Sequence, residues 1–181
     1  MKIALLSCPN LLHDREAALL TVLRYLPLAY KAGCCCLFLP KDFMGKDEGE
    51  EDKSLPLLEK RASFYGLTLG FGYRKEGTDD YLVFSPKPRF IPFEKGASFQ
   101  ENGRDWRILL EESEDPGTSF SLLFLSAKSL KSLKHKPFAQ KDCFCFADLG
   151  GSVSCGVYRA GKLLCSLPEG QEALLVKEVL P

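Results

Sequence analysis

The sequence predicts an α/β layered domain, with helices on one face of a sheet and a partner sheet on the other. Three observations lead there. The first half reads strand–helix–strand–helix–strand–strand and the second half is almost all strands, an order that requires right-handed crossovers in one sheet. The run CCCLFL at residues 34–39 is apolar at every position, the mark of a strand covered on both faces. The chain has 181 residues, is 45% hydrophobic and 27% charged, and so is long enough for one core without disulfides.

The elements follow in order. Residues 2–7 form a short apolar run closed by Cys8-Pro9-Asn10, which gives a strand and a turn. Residues 14–31 read as a helix capped by Asp14, with Ala17, Leu20, Val22, Leu23, Leu26 and Ala29 as its apolar positions. Pro27 predicts a kink or an early end, and Gly33 the stop. Residues 34–39 are the next strand. MGKDEGEEDKS, at 44–54, is a solvated acidic loop. Residues 55–65 form a second helix stopped by Gly66, and residues 67–73 and 81–85 are strands joined through Gly77. Residues 85–96 are proline-rich and irregular.

A strand at 106–110 follows the turn ENGRD, and 120–126 is another. Residues 129–136 are a basic stretch read as a short helix or a loop. Strands at 143–147, 152–158, 163–166 and 173–179 complete the chain. There are no repeats and no low-complexity linker, so residues 1–181 are expected to form a single domain.

Charge and composition exclude several classes. Lys plus Arg and Asp plus Glu balance at 24 each, which leaves no basic surface for nucleic acid and no electrostatic pull to a membrane. No apolar run approaches the roughly 18–20 residues of a membrane span. MKIALLSC resembles a lipoprotein signal, but its apolar stretch, residues 3–7, is shorter than the roughly 7–15 residues such a signal needs. The eight cysteines sit inside apolar runs rather than in polar loops, which points to a reducing, cytoplasmic setting.

The candidate chemical motifs each have a bland reading. Cys34, Cys35 and Cys36 in one strand would point to alternate faces and could not converge on a metal, so they are expected to build the core. Cys143 and Cys145 share a strand face, but a metal site would need two more ligands from the only histidines, His13 and His135, and neither sits in a patterned context, so neither a metal site nor a catalytic Cys–His pair is expected. GLTLGFG is a strand with glycines, not a phosphate loop. No metal and no cofactor is expected.

Beyond this point the sequence resembles the nitrilase, or carbon–nitrogen hydrolase, superfamily along its whole length. MKIALLSCPN resembles that family's first strand. DREAALLTVLRYLPLAYKAGCCCLFLPKDF resembles its first helix and second strand, and LLEKRASFYGLTLGFGYRKEGTDDYLVFSP the second helix and the following hairpin. FEKGASF and NGRDWRILLEESEDPG resemble the approach to the nucleophile and its elbow, and CFCFADLGGSVSCGVYRAGKLLCSLPEGQEALLVKEVL the closing strands. The resemblance implies a four-layer α-β-β-α sandwich of two mixed sheets, trimmed between Leu82 and Phe93 and between Ser126 and Cys143. It also implies a homodimer and a pocket for a small molecule.

The family's chemistry needs a cysteine thiolate, a glutamate base and a lysine. By the resemblance, the nucleophile slot falls on Leu110 or Glu111 and the glutamate slot, straight after Pro40, on Lys41. The lysine slot falls on Lys87 in PKPRFIP. Cys8 ends the first strand without matching the nucleophile position. The expected protein is therefore a catalytically degenerate relative serving as a binding or interaction module, with a vestigial pocket at Lys41, Lys87, Leu110, Glu111 and Glu112. The alternative is a hydrolase of small amide-like substrates with a rearranged lysine–carboxylate site. Lys41 is expected to pair with Glu111 or Glu112, since a charged lysine leaving an apolar strand needs a partner or an exit to water.

Overall fold

A computed structural model gives the fold and describes residues 1–8, 14–41, 43–46, 53–75, 77–93, 97–109, 120–126, 143–148, 153–159, 162–167 and 171–179. In chain order its elements are β1 (Lys2–Ser7), α1 (Arg15–Lys31), β2 (Cys36–Phe38), β3 (Met44–Lys46), α2 (Ser54–Phe64), β4 (Thr68–Lys75), β5 (Thr78–Phe84) and β6 (Arg89–Pro92). Then come β7 (Ser98–Glu101), β8 (Arg104–Leu109), β9 (Phe120–Ser126), β10 (Cys143–Asp148), β11 (Val153–Arg159), β12 (Lys162–Ser166) and β13 (Ala173–Glu178). The chain divides into two compact units, one of Met1–Leu6, Asn10–Pro92 and Val176–Pro181, the other of Ser7–Pro9 and Phe93–Leu175.

The first unit is built on a mixed sheet in the order β13-β1-β2-β4-β5-β6, with β3 also on β4. The pairs β1–β2, β2–β4 and β3–β4 are parallel, and β4–β5 and β5–β6 are antiparallel. Parallel neighbours need crossovers, and the two helices supply them. Asp14 caps α1 as the sequence predicts, its carboxylate accepting from the Ala17 N–H at 2.8 Å. Both helices end at a glycine in the left-handed region, Gly33 (φ 74°) and Gly66 (φ 61°). Pro27 neither ends α1 nor shortens it: the helix runs on to Lys31. Leu26 and Ala29, both fully buried, anchor the turn around the missing hydrogen bond.

The second unit is a mixed sheet in the order β12-β11-β10-β9-β8-β7. The pairs β8–β9 and β9–β10 are parallel and the others antiparallel. The register aligns Phe99 with Trp106, Trp106 with Phe120, Phe146 with Phe124 and Phe144 with Val157, so all share one face. Trp106 is fully buried there, stacked on Phe99 (6.1 Å, 10°) and touching Phe120 and Phe144. Phe124 stacks on Phe146 at 5.6 Å. Truncating such an aromatic costs about 3–5 kcal/mol, which makes this row the stabilising centre of the sheet.

Three expectations are corrected, and one further strand is found. The strand expected at 34–39 is only Cys36–Phe38, because the Cys34 N–H bonds back to Ala29 O (3.0 Å) as part of the helix cap. The loop expected at 44–54 opens with β3, a parallel rung on β4. The irregular stretch at 85–96 contains β6, whose Pro92 sits at the strand end, where it takes no central ladder bond. The segment before the ENGRD turn is β7, which pairs across that turn with β8. The basic stretch 129–136 lies outside the described residues.

Candidate functional site at the end of strand β2

The chain does not leave the sheet cleanly after β2. The Leu39 N–H donates to Gly70 O at 2.8 Å, and the Gly72 N–H donates to Pro40 O at 3.0 Å. Residues 39–41 therefore ride along β4 before Met44 pairs with Tyr73. Two glycines make room for them. A β-carbon on Gly72 would lie 1.2 Å from the Lys41 carbonyl oxygen, and one on Gly70 would lie 2.7 Å from both the Phe38 and Tyr81 rings. Tyr81, fully buried, donates its hydroxyl to Leu39 O at 3.0 Å and clamps the same segment. Burial pushes its phenol well above the ordinary value. Lys41 leaves this clamp with an exposed side chain.

The ion pair beside it joins β4 to β5. Arg74 and Asp79 are cross-strand partners, and the Arg74 guanidinium holds the carboxylate with both Nε and Nη2, the latter at 2.9 Å. The Asp79 carboxyl is held below the usual carboxylate range, first by the Arg74 hydrogen bond and further by the Arg74 and Lys41 charges, while partial burial opposes them. One carboxylate thus faces two cations at the end of β4. On the opposite face, Arg15 at the start of α1 donates to the Tyr73 hydroxyl (3.3 Å), and the Tyr73 ring lies 5.9 Å from that of Phe90.

Sequence reasoning placed Lys41 at the strand end, and the structure has it there. Its charge acts on Asp79. Leu110, Glu111 and Glu112 lie outside the described residues, and so does the pairing expected between Lys41 and either glutamate. Lys87 is exposed in the loop between β5 and β6. Lys41 lies over Gly72, the partner of Tyr81 midway along β5, and Lys87 follows the Phe84 end of β5, so the two are set apart along that strand. Gly70, Gly72, Tyr81, Arg74 and Asp79 were not singled out from the sequence. The alternate glycines of GLTLGFG were the available signal, since glycine inside a strand marks a close backbone approach.

The cysteines behave in two ways. Burial pushes the Cys8 thiol up to about 12, and the Cys155 thiol likewise to about 12, with the nearby Cys8 and Cys165 adding to the latter. Cys34, also buried, is raised too. Cys35 and Cys36, however, do not point apart. Their sulfurs lie 3.8 Å from each other, because Cys35 precedes the strand and strand alternation does not govern it. Among the described residues, no group of three or more His, Cys, Asp or Glu side chains could hold a metal ion. His13 and His135 lie outside the described residues.

No protein-family model matches the sequence, and no curated protein matches it. Solved structures do. A variant of the Nesterenkonia AN1 amidase from the nitrilase superfamily superposes with a TM-score of 0.70 at 16% identity, over 100% of this chain and 92% of that one. Another variant of that amidase carries the acetamide moiety of fluoroacetamide on its active site cysteine. It superposes with a TM-score of 0.74 at 16% identity, over 100% and 90% of the two chains. A glutamine-dependent NAD+ synthetase from Acinetobacter baumannii gives a TM-score of 0.66 at 11% identity, over 97% of this chain and 44% of that longer one. The chain has the nitrilase fold, α/β with two mixed sheets.

Proposed function

We propose that this protein is a nitrilase-fold chain, one domain over residues 1–181, that lacks carbon–nitrogen hydrolase chemistry and serves as a binding or interaction module. The observation that carries the reading is the side chain after Pro40. It is a lysine fixed over Gly72, where the resemblance places a glutamate base, and its charge helps to hold the Asp79 carboxyl down. An ammonium cannot accept the proton that water gives up on attack. Cys8 does not compensate, since a thiol pushed up to about 12 supplies almost no thiolate near neutrality. The residues this reading assigns to a vestigial small-molecule pocket, as the resemblance implies, are Lys41, Lys87, Leu110, Glu111 and Glu112.

The same reading takes the chain as a cytoplasmic homodimer, away from nucleic acid and membrane. Leu20, Leu28, Tyr30 and Phe64 stand exposed on α1 and α2, which supports an apolar contact there. No helix of the described residues is long and apolar enough to cross a membrane. The test is ammonia release from glutamine, ω-amides and nitriles by the purified chain, with no turnover expected. Steady turnover that vanishes in Lys41→Met would instead establish the second reading, a rearranged lysine–carboxylate hydrolase, which the approach of Lys41 to Asp79 favours. Sedimentation at high concentration tests the dimer, and a species of only 20.2 kDa would reject it.

A further inference from the structure

We propose that Cys35 and Cys36 form a dithiol site for trivalent arsenic, a thiophilic centre that binds both sulfurs at once. The two sulfurs are 3.8 Å apart, and the Cys35 thiol donates to Lys2 O at 3.3 Å. A thiol has one hydrogen, so Cys35, donating to Lys2, accepts from Cys36. The pair is therefore lined up before any ligand arrives. Cys35 is half-buried and Cys36 fully buried, so an incoming centre meets Cys35 first and Cys36 second.

Geometry and ligand number together select the ligand. With metal–sulfur bonds of about 2.3 Å, as for thiolates on zinc, sulfurs 3.8 Å apart hold a centre at an S–M–S angle of roughly 110°. A linear two-coordinate ion would need them about 4.6 Å apart on the same bond length. A direct disulfide is disfavoured as well, because adjacent Cα atoms are about 3.8 Å apart and disulfides usually span about 4.4–6.8 Å. A tetrahedral ion at that angle needs further protein ligands, and the described residues offer no group of three, whereas a pyramidal centre asks for only two protein sulfurs, drawn slightly closer than 3.8 Å, with its third substituent facing solvent, and trivalent arsenic is such a centre. The metal-ligand shortage noted above does not apply, since two sulfurs suffice.

The reaction balances without an oxidant. An arsenoso group, R–As=O, and two thiols give R–As(S)2 and one water; the two thiol protons leave with the oxygen, and arsenic stays trivalent. The backbone need not move. Lys2 O keeps the Cys35 N–H bond at 2.9 Å, and Cys35 O keeps the Thr68 N–H bond at 2.9 Å, so losing the thiol hydrogen bond leaves no carbonyl unsatisfied.

The experiment is intact-mass spectrometry of the full chain with equimolar phenylarsine oxide under a large excess of glutathione, which competes with single thiols but poorly with a chelating pair. One phenylarsenic adduct is expected, removed by a dithiol competitor such as 2,3-dimercaptopropanol. Cys35→Ser, at a half-buried position, is expected to abolish it with unchanged circular dichroism. Cys36→Ala, which keeps the core apolar, is expected to do the same, and Cys34→Ala and Cys145→Ala to retain it. Should Cys36→Ala not fold, Cys35→Ser alone decides. Absence of a glutathione-resistant adduct on the unaltered chain, or its survival in Cys35→Ser, overturns the proposal.

Discussion

The Lys41 carbonyl oxygen occupies the space into which a side chain on residue 72 would grow: a β-carbon on Gly72 would sit 1.2 Å from it. The clash is with backbone, which cannot swing aside as a side-chain tip does. The position of Lys41 is therefore set by a residue that carries no side chain, on a strand that follows it by a whole helix. Gly72→Ala is expected to cost about 3 kcal/mol or more in urea unfolding, at the upper end of overpacking penalties. Gly33→Ala, at φ 74° with nothing within 4 Å of its β-carbon, is expected to cost only about 1 kcal/mol. Similar costs for the two would mean that the segment 39–41 does not press on β4.

Tyr81→Phe removes the hydroxyl that holds Leu39 O. A buried carbonyl left without that donor costs about 1–3 kcal/mol. The same change is expected to speed hydrogen exchange at the Gly72 amide, whose acceptor, Pro40 O, belongs to the clamped segment. Loss of stability without faster exchange at Gly72 would confine the role of Tyr81 to packing.

Asp79 gives a pH signature. Its folded pKa is depressed, so its contribution is present above the unfolded value of about 3.9 and is lost as pH falls through the lower folded value. The pair is half-exposed, at 39% for Arg74 and 49% for Asp79, so the contribution is at most about 1 kcal/mol. Asp79→Asn is expected to be less stable at pH 6 by that amount and to match the unaltered chain at the acid end. A double-mutant cycle of Lys41→Met with Asp79→Asn should show a small favourable coupling that fades with added salt.

The buried thiols give the opposite limb. Cys8 and Cys155 keep their protons in the fold up to about pH 12, whereas an unfolded cysteine loses its proton at about 8.5. Stability is therefore expected to fall with rising pH across that window, by up to about 1.4 kcal/mol per pH unit for each thiol. Cys8→Ala should make the alkaline slope shallower by one thiol's share. An unchanged slope would mean that Cys8 ionises in the folded chain.

Much of the fold was legible because hydrophobic period and punctuation agree. Asp14, Gly33 and Gly66 mark helix ends by local chemistry, and β1 matches its apolar run residue for residue. The misses have physical causes. β3 is three residues long inside an acidic stretch, and only its pairing with β4 makes it a strand. Cys34 looks like strand by composition, but its N–H is already taken by the helix cap. At the candidate site, the lysine was visible as a charge after an apolar run. Its clamp was not, because Gly72, Tyr81 and Asp79 reach it only through sheet register.

The first sheet carries a consequence for how the chain is made. The Val179 N–H donates to Met1 O at 2.7 Å, closing a contact between residues 178 positions apart. β1, buried at five of its six residues, is synthesised well before the strand beside it in the sheet, β13. Until β13 has been made, an apolar strand has one bare hydrogen-bonding edge, a template for pairing with whatever extended chain comes near. Completion of this sheet thus waits, by topology, until β13 has been made, and the edge of β1 stays open to another chain for that interval.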